Sequence, residues 1–334
     1  MDGSSPAEAG RLETRLRRVA FRTLGVEADI ERLVRVSGGA TLETWSLDVA
    51  SAQEIVPLIL RRAPASRAAG SLSLPTEAAV IRKVGALGVP VPEIWAVLEP
   101  ADDLGEGFLM RRIEGETIPR KLLRDEAYAF ARGTLTTRLA EVLAAIHAVR
   151  GDDLPELPLV PVEERVDDLE NRYRQFSAPR PVFELAIRWL KDRMPPPRAT
   201  PGLVHGDFRN GNLIVGEDGL RAVLDWEIAH LGDPGEDIGW LTMTPWRFGH
   251  LDNEVGGFGR LDAFLTAYRA AGGTAETDTI LFWQVMAALR WGVACAVMID
   301  WVQTGADASV ERMMITRRAS ESELELLRLL APKD

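Results

Sequence analysis

Residues 203–215, LVHGDFRNGNLIV, and residues 222–227, AVLDWE, constrain this chain more than any other stretch. Each has a short apolar run, Leu213 to Val215 and Ala222 to Leu224, beside a polar cluster. Gly216, Glu217, Asp218 and Gly219 between them predict a tight turn, so the two runs are expected to pair as a hairpin. That folding carries Asp207, Asn212 and Asp225 toward one another. Two carboxylates and an amide oxygen form a hard-oxygen donor set, the kind that Mg²⁺ takes when water and phosphate oxygens complete its shell. His205 and Gly206 suit a sharp loop ahead of Asp207.

An Asp, an Asn after four intervening residues, and a second Asp at a strand end follow the arrangement of kinase-type phosphoryl-transfer enzymes. On HGDFRNGN followed by LDWEIAHLGDPGEDIGW, the chain resembles the aminoglycoside phosphotransferase and choline kinase-like family, enzymes that phosphorylate small molecules. It is most similar to the branch of kinase-like domains found fused to acyl-CoA dehydrogenases. The resemblance extends from about Ser37 onward. It implies an α+β, protein-kinase-like two-lobed fold. A small N-lobe with an antiparallel sheet, binding the nucleotide, is expected over residues 11–113. A larger, mainly helical C-lobe, catalytic and substrate-binding, is expected over residues 114–334.

The bulk properties suit that size and class. A chain of 334 residues, 46% apolar and 27% charged, can bury a large core. Its formal net charge of −11 argues against nucleic acid as a partner. Cys295 is the single cysteine, which excludes an intrachain disulfide and a cysteine metal site and fits a reducing cytoplasm. No secretory h-region opens the chain, and residues 1–10 are expected to be disordered. Residues 280–302 are apolar enough to suggest a membrane span, but Gln284, Arg290 and Asp300 interrupt them, so a buried core helix is expected and no membrane partner.

In the first lobe, Leu12, Leu16, Val19 and Ala20 have helical spacing. Strands are expected over residues 30–36, 45–49, 54–62, 93–98 and 107–112. The turn containing Ser37, Gly38 and Gly39 reads either as a plain hairpin or, by the resemblance, as the loop whose backbone N–H groups meet nucleotide phosphates. The family places a cation at the end of the third strand, usually Lys. Arg61 stands there, with Arg62 behind it, and a guanidinium grips phosphate bidentately. In the family a following helix offers a Glu to that cation. Glu77 matches by position, though an acid near a helix N-terminus is favourable on its own. Backbone groups from Met110 to Ile113, at the expected hinge, are implied to face the adenine.

In the second lobe, residues 135–146 form an amphipathic helix ending at His147, read as a buried structural histidine. Residues 244–259 read as a surface loop. Trp240, Trp246, Trp283, Trp291 and Trp301 read as filling for a helical core. Asp207 is the candidate base for the acceptor hydroxyl, with Arg209 beside it near the transferring phosphate. Asn212 and Asp225 are the candidate metal ligands. His205 is expected to orient the loop, while Asp233 and Asp237 cap turns and brace it. Glu227, two residues past Asp225, is expected on the same side of a continuing strand, toward a second metal or the substrate.

These assignments imply a small-molecule kinase that uses Mg²⁺ and ATP (or GTP) and phosphorylates a hydroxyl of a metabolite, with hydroxyacyl thioesters among the candidates. An aminoglycoside O-phosphotransferase and a non-catalytic nucleotide-binding module are the alternatives. A Ser/Thr protein kinase fits less well. Asp225 is followed by Trp-Glu rather than Phe-Gly, no Ala-Pro-Glu element occurs, and little chain is left for an activation segment.

Overall fold

The computed structural model describes residues 6–36, 42–63, 71–154, 156–176, 178–307 and 309–331. In chain order the elements begin with α1 (Pro6–Leu24), β1 (Ala28–Arg35), β2 (Glu43–Ser51), β3 (Ile55–Arg62), α2 (Leu74–Ala86), β4 (Ile94–Val97) and β5 (Gly107–Arg111). Next come α3 (Pro119–Arg124), α4 (Ala129–His147), α5 (Val162–Phe176) and α6 (Pro181–Asp192). The strands β6 (Gly202–Val204), β7 (Leu213–Gly216), β8 (Gly219–Val223) and β9 (His230–Gly232) follow. The last helices are α7 (Gly235–Leu241), α8 (Leu261–Ala270), α9 (Ile280–Gln303), α10 (Val310–Thr316) and α11 (Ala319–Leu330). This is an α+β chain in two compact units.

The first unit is Met1–Glu116 together with Leu213–Gly216 and Leu220–Ala229. Its sheet is antiparallel in the order β1-β2-β3-β5-β4. Leu47 pairs with Leu58 and Leu60 with Leu109, so one face presents a continuous apolar row. Leu12, Leu16, Val19 and Ala20 of α1 pack with that row, which their three- and four-residue spacing allows. Helix α1 begins at Pro6, earlier than the sequence suggests, so residues 6–10 are helical rather than disordered. In α2, the Ser73 hydroxyl accepts from the Thr76 N–H at 3.2 Å, and Pro75 sits in the first turn, where its missing N–H costs nothing.

The β7–β8 hairpin forms as expected, but it belongs to the sheet unit rather than to the helical one. Backbone bonding explains this. Glu116 and Val215 exchange N–H to carbonyl bonds at 2.9 and 3.0 Å, and Val223 N–H donates to Pro90 O at 2.8 Å. Gly115, at φ 152°, allows the approach, because a Cβ there would collide with Ile214 and the Val215 carbonyl. The unit therefore continues past the expected boundary at residue 113.

The second unit is mainly helical. α5, α6, α9 and α11 build its core from Tyr173, Phe183, Trp283, Leu289, Leu326 and their neighbours. Helix α9 is long and apolar enough to cross a membrane by length and composition, yet most of that apolar window is buried inside the protein. Helix α7 lies against α9 because Gly235 and Gly239, one turn apart, leave room for Trp283; a Cβ at Gly239 would overlap the Trp283 carbonyl. Two readings need correction. The segment 244–259 is not a plain surface loop, since Trp246 and Val255 are buried and residues 244–247 form a 3-10 turn. Trp301, near the end of α9, is 39% exposed and does not fill the core.

Candidate active site

In the sheet unit, strand alternation sends Leu60 to the apolar face and Arg61 to the other. Arg61 Nη1 donates to Glu77 Oε1 at 2.6 Å, and its Nη2 to Asp225 Oδ1 at 3.2 Å. Glu77 is fully buried in the first turn of α2, so this acid serves as the cation's partner as well as suiting a helix N-terminus. The Arg61 guanidinium also lies 5.9 Å from the Phe108 ring centroid. Arg62 is taken up by Glu43 on β2, through Nε at 2.7 Å, so of the two arginines it is Arg61 that meets Glu77 and Asp225.

Asp225 has a left-handed backbone, φ 67°, a conformation that costs a non-glycine residue on the order of 1–3 kcal/mol. Its side chain keeps 36% exposure while Trp226 beside it is fully buried, with Nε1 donating to Val223 O at 3.3 Å. β8 ends at Val223, and residues from Trp226 to Ala229 turn, with Ala229 N–H on Trp226 O at 3.1 Å. The strand that would have put Glu227 on the Asp225 side is therefore absent there. The Glu227 carbonyl instead accepts from Leu72 N–H at 2.7 Å.

Met110 requires a second correction. It is an interior ladder position, registered with Ile59 on β3 and Ile94 on β4, so its backbone is committed to the sheet. The Arg112 N–H likewise bonds Pro57 O at 3.0 Å. Ser37, Gly38 and Gly39 lie outside the described residues.

In the helical unit, the loop between β6 and β7 is braced from behind. The Asp237 carboxylate accepts from the backbone N–H groups of His205 and Gly206, both at 2.8 Å. His147 Nε2 stands 3.1 Å from the same carboxylate, and its Nδ1 is 2.7 Å from the Tyr268 hydroxyl. Burial alone would push the Asp237 carboxyl up, but the hydrogen bonds and charges of His147 and His205 bring it below its ordinary value. His205 is fully buried, and its Nδ1 accepts from Asp207 N–H at 3.2 Å, so it shapes the turn as expected. Asp233 accepts from Gly235 N–H at 2.7 Å and caps the turn into α7, with burial raising its carboxyl pKa.

Asp207 projects from this braced loop with 18% of its side chain exposed. Asn212 Nδ2 donates to its Oδ2 at 2.6 Å and to its backbone carbonyl at 2.9 Å. Arg209 Nε donates to Oδ1 at 3.0 Å. The Arg209 guanidinium lies 4.7 Å from the Trp246 ring centroid, and a Cβ on Gly211 would come within 2.5 Å of its Nη1. Ring and glycine thus hold the cation beside Asp207.

Residues that sequence reasoning left out complete this half. Trp240 Nε1 donates to Asp207 Oδ1 at 2.7 Å. Arg290 of α9 donates to Gly206 O at 3.0 Å and to Glu236 Oε1 at 3.3 Å. Glu236 is buried, yet Arg165, His230 and Arg290 outweigh desolvation and hold its carboxyl well below the usual range. The position of GEDIGW directly after GDP was the available signal. A pairing between distant α9 and this loop has no local one.

Each unit presents a candidate oxygen ligand of the kind a hard cation takes. With its Nδ2 committed to Asp207, Asn212 has a neutral amide oxygen to offer, and the Asp225 carboxylate already has a guanidinium beside it. Mg²⁺ commonly takes such sparse protein ligation when phosphates supply the remaining oxygens.

Comparison with known proteins defines the class: an antiparallel-sheet unit and a helical unit on the kinase-like plan of small-molecule phosphotransferases. The chain belongs to the phosphotransferase enzyme family (APH), whose model matches residues 32–273. It is 28% identical over 232 residues to acyl-CoA dehydrogenase family member 10 of Mus musculus, covering 64% of this chain and 20% of that protein. It is 27% identical over 227 residues to the probable acyl-CoA dehydrogenase IBR3 of Arabidopsis thaliana, covering 61% and 27%. The chain thus spans about a fifth to a quarter of the length of these curated relatives. Among solved structures, a candidate aminoglycoside phosphotransferase of Ralstonia eutropha superposes with a TM-score of 0.77 at 19% identity, over 95% of this chain and 97% of that one. Aminoglycoside phosphotransferase APH(4)-Ia, a thermostable mutant in ternary complex with ADP and hygromycin B, superposes with a TM-score of 0.64 at 16% identity, over 95% and 99%. At these identities the structural likeness concerns the fold.

Proposed function

We propose that the chain is a small-molecule kinase that transfers the γ-phosphoryl group of ATP to a hydroxyl of a metabolite. The observation that carries this reading is the Asp207 carboxylate, held by Asn212 on a loop whose backbone N–H groups are bound by Asp237. That much fixed geometry around one acid serves catalysis that depends on positioning. It favours an active enzyme over a non-catalytic nucleotide-binding module.

In this reading the acceptor oxygen attacks the γ-phosphorus in line. Its O–H bond breaks with the proton passing to Asp207, the γ-phosphorus to bridging-oxygen bond breaks, and ADP departs. In a loose transition state the proton leaves late, so the orientation of Asp207 matters more than its basicity. Arg209 lies beside the base to hold negative charge. Arg61, steadied by Glu77, grips the nucleotide phosphates. Asn212 in the helical unit and Asp225 in the sheet unit are each proposed as a Mg²⁺ ligand, and the metal when bound would neutralise phosphate charge.

Two acceptor classes compete. Similarity to acyl-CoA dehydrogenase family members supports a hydroxylated metabolite or hydroxyacyl thioester. The fold shared with a phosphotransferase crystallised with hygromycin B supports an aminoglycoside. Arg209 beside the base favours the first, because a fixed guanidinium repels a polycationic acceptor.

Binding of a non-hydrolysable ATP analogue, with and without Mg²⁺, to wild type and Asp225→Ala tests the reading. Metal-dependent binding lost in the variant, followed by transfer to a hydroxylated acceptor that Asp207→Asn abolishes, supports it. A protein that binds neither ATP nor GTP analogues is not a kinase.

A further inference from the structure

We propose that Trp240 is a positioning residue for Asp207, and that it selects Oδ2 as the oxygen that receives the acceptor's proton. This inference rests on the kinase reading above. A carboxylate oxygen offers about two lone-pair sites. On Asp207, Oδ1 accepts from Trp240 Nε1 at 2.7 Å and from Arg209 Nε at 3.0 Å, which fills both. Oδ2 accepts from Asn212 Nδ2 at 2.6 Å and retains one site. The hydroxyl proton therefore goes to Oδ2, while Oδ1 anchors the side chain.

Tryptophan suits the anchoring part. Its indole N–H donates and neither accepts nor titrates, so it cannot compete with Asp207 for the acceptor's proton. The ring is itself fixed. Trp240 is 5% exposed, and its centroid is 5.6 Å from that of Trp246 and 6.5 Å from that of Trp291. Arg290 covers it at 4.2 Å while bonding the Gly206 carbonyl next to Asp207. Gly235 and Gly239 let α7, which carries Trp240, sit directly on Trp283 of α9. The indole thus approaches the base from a packed wall, and turning it away would break the aromatic cluster.

The test has a spectroscopic and a kinetic arm. In a ¹⁵N-labelled sample one of nine indole N–H signals disappears in Trp240→Phe, which assigns it. Asp207→Ala is expected to move that signal upfield by more than any other indole. For kinetics, MgATP turnover with water as acceptor needs no identified substrate. Trp240→Phe keeps the ring but loses the donor. It should lower kcat roughly 10- to 100-fold with the KM for ATP within about twofold. An indole signal indifferent to Asp207, or an unchanged kcat, overturns the proposal. Where Trp240→Phe fails to fold, the displacement of a single indole signal by Asp207→Ala still decides whether the bond exists. A wild type that binds neither ATP nor GTP analogues removes the kinase reading and the catalytic role with it, and the indole shift then reports a structural bond alone.

Discussion

Glu77 and Arg61 are joined at 2.6 Å, with the carboxylate fully buried and the guanidinium only 14% exposed. The pair ties the first turn of α2 to the end of β3, and it leaves Nη2 of Arg61 to bond Asp225, 3.2 Å away. A charge buried this deeply persists only while its counter-ion does, so stability and nucleotide binding separate here by experiment.

Arg61→Ala leaves the buried Glu77 charge without this cation and should cost about 3 kcal/mol in urea unfolding. A double replacement, Arg61→Met with Glu77→Leu, should recover most of that loss because no buried charge remains. Both proteins should lose affinity for the ATP analogue. Recovery of binding in the double variant would show that Arg61 does not meet the phosphates.

Asp237→Asn keeps the shape of the brace but turns one acceptor into a donor facing a backbone N–H. With His205, Gly206 and His147 all directed at this group, the change should lower stability by about 3 kcal/mol. Turnover should fall with ATP affinity little changed, because Asp207 follows the braced peptide. Equal unfolding midpoints for variant and wild type would remove the bracing role.

Asp237 and Glu236 both have carboxyl groups held below their ordinary values in the folded chain. Their contribution is therefore complete above the unfolded carboxylate pKa of about 4 and is lost as pH falls through the lower folded values. Thermal melts between pH 6 and pH 3 should show a falling Tm through the acid end of that window. Replacing Asp237 with Asn should flatten part of the slope, and a slope unchanged by it would assign the acid sensitivity to other groups.

Gly239→Ala places a methyl against the Trp283 carbonyl, and backbone cannot yield as a flexible side chain can. A cost of about 1–3 kcal/mol is expected, with a fall in turnover because α7 carries Asp237 and Trp240. Gly133 in α4 has open space around its added Cβ, so Gly133→Ala should gain about 0.5–1 kcal/mol. Melting temperatures that move the same way in both variants would contradict this packing account.

The chemistry was written locally. Asp207, Asn212 and Asp225 are named by spacing and turn residues, and the hairpin between them follows from two apolar runs around Glu217 and Asp218. The apolar face of α1 follows from periodicity, because side-chain direction repeats with the helix, and α9 follows from the length of its apolar run. His147, His205 and Asp237 were legible as structural, since polar groups around a sharp loop need partners. Tertiary structure decided what local pattern cannot carry. The end of β8 at Val223 turned Glu227 out of a strand, and the ladder closed on Met110. Glu116 drew the hairpin into the sheet unit through backbone bonds that depend on no side chain. Trp240 reached Asp207 only because two glycines let α7 settle on α9, and a contact across 33 residues depends on packing rather than on period.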